Sequence, residues 1–380
     1  MKVGISKESL DGETRVALVP SMVGLITKQN HEVSIAAGAG EGSSFADAAY
    51  EKAGAKIVKD NKTLFGESDV TIKVQPLTKD EAQQLKDGSI YIGYMAPLYQ
   101  KEVIDILNKK KITAFAMEFI PRITRAQSMD SLSSMATVSG YKAVLLAAAK
   151  LGKFFPLLMT AAGTVPPASV FILGAGVAGL QAIATAKRLG AKVEAFDPRI
   201  AVKEQVESLG AMFIEMEMPE DAETEGGYAK AQSDEFLKKE QEAIAARLPK
   251  IDVVITTAQI FGKAAPILIT EAMVKLMRPG SIIVDLAAEQ GGNCELTEAG
   301  KDVEKHGVTM MGTLNLPATL PVHASQMYSK NITNLFKNTF AKEDATLDFE
   351  DEVTSGACIT RDGEIVNELV KNVLYPKGDK

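Results

Sequence analysis

The residues whose types and spacing most clearly specify chemistry are Gly174, Gly176 and Gly179. They stand in Val170-Phe171-Ile172-Leu173-Gly174-Ala175-Gly176-Val177-Ala178-Gly179-Leu180, a GxGxxG run that follows an apolar strand and opens an Ala-rich helix. That context suits a pyrophosphate. Gly174 permits a tight turn, Gly176 lets main chain approach the phosphates, and Gly179 lets the helix lie close to the strand. The helix N-terminus, at Val177, offers N–H groups and partial positive charge. The next strand, 192–196, ends at Asp197, 23 residues after Gly174. An acid about 20 residues beyond such a turn bonds the adenosine ribose hydroxyls. A carboxylate there repels a 2′-phosphate and so selects NAD over NADP. Arg199 favours a phosphate in principle, but Asp197 has the strand-tip position. A plain Gly-rich turn with a surface Asp is the bland alternative.

The groups around a nicotinamide must come from other strand ends, because dinucleotides lie across the carboxyl ends of a parallel sheet. Val253-Val254-Ile255-Thr256-Thr257-Ala258-Gln259 and Ile282-Ile283-Val284-Asp285-Leu286-Ala287 both end strands, the first in small polar residues. Each reads equally well as a simple strand end. More informative is the stretch 117–134, where a strand ends, Pro121 breaks the chain and a polar cluster precedes a long helix. Arg122, Thr124, Arg125, Gln127, Ser128, Asp130 and Ser133 fall in it. Arg, Gln, Asp and Ser together supply the donors and acceptors that a carboxamide needs. Ser128 or Asp130 serves equally as a helix cap.

The elements that must position these groups alternate along the chain. Strands are expected over 2–5, 32–36, 56–58, 70–74, 90–94 and 113–117, with helices such as 22–29 and 101–109 between them. After a spacer helix over 133–150, strands recur at 169–173, 192–196, 212–214, 252–256, 281–285 and 308–311. Alternation of this kind implies βαβ units and mostly parallel sheets. A final helix over about 324–340 and the residues after it are expected to rejoin the first domain. The segment 215–225 carries six acidic residues and no basic one before Gly226-Gly227-Tyr228, which favours an exposed, mobile loop.

Composition narrows the function classes. With 380 residues, 24% charged and a net charge of −7, the chain is an ordinary globular one and a poor candidate for nucleic-acid binding. Two cysteines outside any CxxC pair leave no disulfide framework and no expected metal site. The first residues reach charges before any signal-length apolar run. The 33 uncharged residues from Phe154 to Ala186 are interrupted by Pro156, Gly163, Pro166, Pro167 and the glycines of the turn, so no membrane span is expected.

Four stretches carry a resemblance over nearly the whole chain. They are 121–134, Met159-Thr160-Ala161-Ala162-Gly163-Thr164-Val165-Pro166-Pro167-Ala168, residues 179–190, and Gly226-Gly227-Tyr228-Ala229-Lys230. Together they resemble the NAD(H)-binding component of proton-translocating nicotinamide nucleotide transhydrogenase. The resemblance implies an α/β chain of two Rossmann-like, doubly wound parallel-sheet domains joined by long helices around a cleft. The first domain would be discontinuous, 1–130 plus about 325–380. The second, 131–324, would hold NAD(H) and carry a mobile loop near 215–232. It implies that Arg122, Gln127, Asp130 and Ser133 orient the nicotinamide, with Thr124 in the same loop. Val177, Asp197, Pro198 and Arg199 would face the adenosine, Gln259 the strand-end lining, and Gly227 and Tyr228 the loop that closes over nucleotide. Glu240-Gln241 stands where the family often has Gln. The activity implied is Re/Si-specific transhydrogenation, with hydride passing from NADH to NADP⁺ bound on a partner subunit, where NADP(H) is held. A homodimer would act only with that NADP(H)-binding component and a membrane-spanning component. It would sit in the cytoplasm, peripheral on the inner membrane through those partners.

The alternative is the related alanine dehydrogenase. Gly12-Glu13-Thr14-Arg15-Val16-Ala17 and Lys73 look alike in both, and in the dehydrogenases the matching Arg and Lys hold the substrate. Those enzymes also need a proton acceptor, since removing hydride from an amine carbon releases a proton. They carry His where this chain has Tyr94 and Asp where it has Glu289. His31, His306 and His323 read as structural. Hydride exchange between two nicotinamides needs orientation rather than acid–base chemistry.

Overall fold

The computed structural model describes residues 1–216, 234–341 and 346–376. The chain divides into two compact units, Met1–Met135 with Pro317–Lys380, and Ala136–Leu316.

In the first unit, short runs rich in β-branched residues form β1 (Lys2–Ile5), β2 (Glu32–Ala36), β3 (Lys56–Val58), β4 (Val70–Ile72), β5 (Ile90–Gly93) and β6 (Thr113–Ala116). They pair in parallel in the order β3-β2-β1-β4-β5-β6. This is the doubly wound order, which reverses direction between β1 and β4. Helices cover both faces, so Val3, Ile5, Val70, Ile72, Tyr91 and Phe115 are all buried.

The second unit repeats the plan. A small hairpin, β7 (Leu158–Thr160) with β8 (Gly163–Val165), precedes β9 (Ser169–Leu173), β10 (Lys192–Phe196), β11 (Met212–Phe213), β12 (Val253–Thr256), β13 (Ile282–Asp285), β14 (Asp302–Lys305) and β15 (Val308–Met311). The sheet order is β11-β10-β9-β12-β13-β15-β14, and it reverses between β9 and β12. Its core gathers Val170, Ile172, Val193, Ile255 and Val284 with Ala182, Ile183 and Ala186 of the helix Val177–Arg188.

Three features depart from an all-parallel reading. β14 pairs antiparallel to β15 at an edge. Three of its four residues are charged and three are exposed, so no apolar alternation announces it; charges on an edge strand guard against pairing with another chain. β16 (Cys358–Arg361) and β17 (Glu364–Ile365) add an antiparallel edge beside β6. The hairpin β7–β8 lies in the uncharged stretch from Phe154 to Ala186 and pairs antiparallel.

The helix Ser131–Lys150 runs from one unit into the other. Among the described residues it alone is long and apolar enough to cross a membrane by length and composition. Its Ala143, Val144 and Ala147 are instead buried in the second unit's core. Gly140 lies so close to the start of the helix Val177–Arg188 that a Cβ there would fall 2.1 Å from the Ala178 carbonyl oxygen.

Candidate functional site

In the second unit the Gly-rich turn leaves β9 at the sheet's reversal point. Gly174 has φ +95°, a left-handed conformation that side chains rarely adopt. The Thr257 hydroxyl, at the end of β12, donates to the Gly174 carbonyl at 3.0 Å and locks the turn. A Cβ at Gly179 would fall 1.8 Å from the Gly174 oxygen, so helix and turn touch main chain to main chain. Gly176 is open: the nearest atom to a Cβ there is Arg199 Nη2, at 3.9 Å. Gly176 also caps the helix without any side-chain bond, and Val177 after it is half-exposed. The first-turn N–H groups therefore lack a side-chain acceptor, which fits an anionic pyrophosphate. These features are the cradle that a dinucleotide requires.

Asp197 stands at the tip of β10 and is buried. Its Oδ2 accepts from Ala175 N at 2.7 Å and from Arg199 Nη2 at 2.8 Å. Its Oδ1 accepts from Arg199 N and from Arg199 Nε, each at 2.9 Å. The acid thus braces the phosphate turn and holds Arg199, while Pro198 between them is partly buried. The two residues weighed against each other in the sequence form one ion pair. Gln259 is exposed, and its Nε2 donates to the Leu286 carbonyl at 2.8 Å, joining the ends of β12 and β13.

Two groups hold those strand ends: Asp285, which the sequence offered only as part of a strand end, and Asn293, which it did not mark. Asp285, fully buried, accepts from Thr256 Oγ1, Ala287 N, Asn293 N, Cys294 N and Thr297 Oγ1. Asn293 bonds both the N–H and the carbonyl of Ala258. A buried acid needs such donors, and a strand-end Asp is the signal that was available. Gly227 and Tyr228 lie outside the described residues, as does most of the acidic segment.

In the first unit, Arg122, Thr124 and Gln127 are exposed, the last two within the short 3-10 turn Thr124–Met129. Asp130 does cap the following helix: its Oδ1 accepts from Ser133 N at 2.9 Å and its Oδ2 from Ser133 Oγ at 2.6 Å. The loop is held by the helix Pro321–Thr339. Asn331 and Asn334 donate to the Ser128 carbonyl at 2.9 and 3.1 Å. Arg125 pairs with Asp351 at 2.7 Å. Burial alone would raise the Asp351 carboxyl, but bonds from Thr354, Asn338 and Arg125 prevail and hold it at about 2. These anchors lie some 200 residues beyond the loop in sequence, with no local signal to mark them.

The reversal point of the first sheet carries a second polar cluster. Lys73, fully buried just beyond β4, bonds Glu8 at 2.6 Å and lies 3.7 Å from Glu81. Arg15 binds Glu13 through Nε at 2.8 Å and Nη2 at 2.6 Å, and Gln75 donates to the same Glu13. Both cations therefore already hold carboxylates of the chain itself. Tyr94 follows β5, and burial raises its phenol above the ordinary range, so it is no base at neutral pH. Glu289, in the second unit, is exposed and accepts from Asn315 N. Of the histidines, His31 packs on Phe336, His306 bonds Glu271, and His323 is exposed.

Residues 4–139 match the alanine dehydrogenase/PNT N-terminal domain, and residues 143–368 match the alanine dehydrogenase/PNT C-terminal domain. The chain belongs to the alanine dehydrogenase/PNT family. Within that family it is 50% identical over 376 residues to an NAD(P) transhydrogenase subunit alpha chain of Rhodospirillum rubrum, covering 97% of this chain and 98% of that protein. The crystal structure of the transhydrogenase from Sinorhizobium meliloti superposes with a TM-score of 0.86 at 41% identity, covering 97% of this chain and all of that one. The alanine dehydrogenase of Bacillus subtilis is 30% identical over 385 residues, covering 98% of this chain and 95% of that protein.

Proposed function

We propose that this chain is the NAD(H)-binding alpha component of a proton-translocating transhydrogenase. It binds NADH in the second unit and gives up hydride to NADP⁺ held on a partner subunit, which leaves as NADPH. The observation that carries this reading is the 50% identity over almost the full length to a transhydrogenase alpha subunit, against 30% to an alanine dehydrogenase. The site agrees with it chemically. Arg15 and Lys73, the cations an amino-acid substrate would need, are already bound to Glu13 and Glu8.

When bound, the nicotinamide supplies the hydride. The chain's own work is orientation. The turn at Gly174–Gly179 receives the pyrophosphate with main-chain N–H groups. Asp197 selects an adenosine ribose without a 2′-phosphate. Arg122, Gln127, Asp130 and Ser133 address the carboxamide of the ring, with Thr124 beside them, and Gln259 contributes from the end of β12. No proton has to be removed from a substrate carbon, nitrogen or oxygen, so no general base is required. Gly227 and Tyr228 are assigned by resemblance to the segment that closes over nucleotide. The assembly is a homodimer that meets the membrane through the NADP(H)-binding and membrane-spanning components, on the cytoplasmic face.

The test mixes the purified chain with an NADP-binding partner component and follows hydride exchange between NADH and an NADP⁺ analogue. Exchange that needs both components is expected. Oxidation of L-alanine with NAD⁺ by the isolated chain would refute the proposal. Asp130→Asn, which keeps a capping side chain, is expected to slow exchange more than it weakens NADH binding.

A further inference from the structure

The helix Pro321–Thr339 carries Asn331, Asn334 and Asn338, a spacing of i, i+3 and i+7 that puts them on one face. All three serve the turn Thr124–Met129. Asn331 and Asn334 give the Ser128 carbonyl a donor for each of its two lone pairs, at 2.9 and 3.1 Å. Asn338 accepts from Arg125 Nη1 at 3.4 Å and donates at 2.8 Å to Asp351, the ion-pair partner of Arg125. The stripe therefore holds the chain on both sides of Gln127. The Gln127 carbonyl itself accepts from Asp130 N at 3.3 Å. The two peptide planes that follow Gln127 are thus both pinned.

The helix behind the stripe is itself fixed. Ser325 Oγ and Ser329 Oγ accept from Val16 N and Val19 N, each at 3.0 Å, and Tyr328 OH donates to the Lys73 carbonyl at 2.9 Å. All three side chains are fully buried. The asparagines do little for the helix. Asn is a weak helix former, and Oδ1 of Asn331, a residue 5% exposed, is buried without a partner among the described residues. A buried acceptor left unbonded is unfavourable. What the stripe secures is the direction of the turn it grips.

We propose that Asn331, Asn334 and Asn338 are positioning residues for hydride transfer, fixing the turn 124–129 so that Gln127 and Asp130 meet the nicotinamide in one orientation. The proposal rests on the reading that this loop addresses the carboxamide of the ring. The asparagines act through the main chain of the loop. When that loop wavers, the nucleotide still binds, because the pyrophosphate and adenosine contacts belong to the second unit. The ring then spends less time in the transfer geometry. Loss of the stripe acts on rate and spares affinity.

The experiment uses the full chain with the NADP-binding partner component and compares wild type with Asn331→Ala, Asn334→Ala and the double variant. Hydride exchange at saturating NADH should fall about tenfold in the double variant. The NADH dissociation constant, measured by calorimetry on the chain alone, should stay within about twofold of wild type. Each single variant leaves one donor on the Ser128 carbonyl and should slow exchange only about twofold, so the double loss exceeds the product of the two. Asn338→Ala should likewise lower the rate and not the affinity. Alanine favours the helix and removes the unbonded acceptor, so Tm should stay within about 3 °C of wild type. Hydrogen exchange across 124–130, followed by mass spectrometry, should quicken in the double variant and stay unchanged across 170–180. A double variant that exchanges hydride at the wild-type rate would overturn the proposal, as would a loss of NADH affinity that matches the loss of rate. Either result leaves the transhydrogenase reading standing. A wild-type chain that supports no exchange with the partner would remove that reading and this proposal with it.

Discussion

One methyl group added at Gly179 and one added at Gly176 should do different things, although the residues are three apart. At Gly179 the new Cβ falls 1.8 Å from the Gly174 oxygen. The shortest separation that real Cβ atoms tolerate is 3.0 Å, so helix and turn must part by about 1.2 Å. Both atoms are held by main chain, and neither can swing aside. Overpacking costs about 1–3 kcal/mol, and this geometry belongs near the upper end. For a unit of this size, about 3 kcal/mol lowers Tm by roughly 6–12 °C. At Gly176 nothing lies nearer than 3.9 Å, and its φ of −71° suits alanine. Loss of a glycine cap costs up to about 1 kcal/mol, and the stiffer unfolded chain returns about 0.4–1 kcal/mol. Tm should therefore stay within about 3 °C of wild type. The methyl nevertheless occupies the space that a pyrophosphate needs, so NADH affinity should drop at least about tenfold. Circular dichroism melts give the first quantity. The chain has eight Tyr and no Trp, so quenching of tyrosine emission by NADH gives the second. A Gly176→Ala protein that binds NADH like wild type, or a Gly179→Ala protein with wild-type Tm, would refute this account of the turn.

Asp351→Asn should loosen the 124–129 loop and lower stability by about 1–2 kcal/mol at neutral pH, read by urea denaturation. The folded carboxyl lies at about 2, below its ordinary 3.8. Its contribution is thus present above about pH 4 and lost as pH falls toward about 2, where mutant and wild type should converge. Burial raises the thiols of Cys294 and Cys358, to about 11 and about 12 respectively. Both should resist thiol reagents in the native protein and react only on unfolding; rapid labelling without loss of structure would contradict their burial.

Much of the scaffold was legible locally. Runs such as Ser169–Leu173 and Lys192–Phe196 are short, apolar and bounded by glycine or charge, so period and punctuation identified them. The Gly174–Gly179 run announced its own turn, because close main-chain approach demands glycine at those positions. The exposed β7–β8 hairpin and the charged edge strand β14 were not legible, since neither carries a buried face that would leave a periodic pattern.

Pairing across long separations lay beyond the sequence. The Ser128 carbonyl meets Asn331 and Asn334, and Arg125 meets Asp351, through contacts that exist only once the C-terminal segment packs back. Asp197 and Arg199 looked like rivals for a phosphate, and folding made them partners. Glu240 was marked in the sequence only by standing where the family often has Gln. Its burial first, and then the charge of Asp197, raise its carboxyl to about 7, because desolvation and charge act through space and not along the chain. Residue type and spacing dictated which groups could bind a dinucleotide. Packing set which of those groups are already bonded to one another, and so which bonds a nucleotide must exchange.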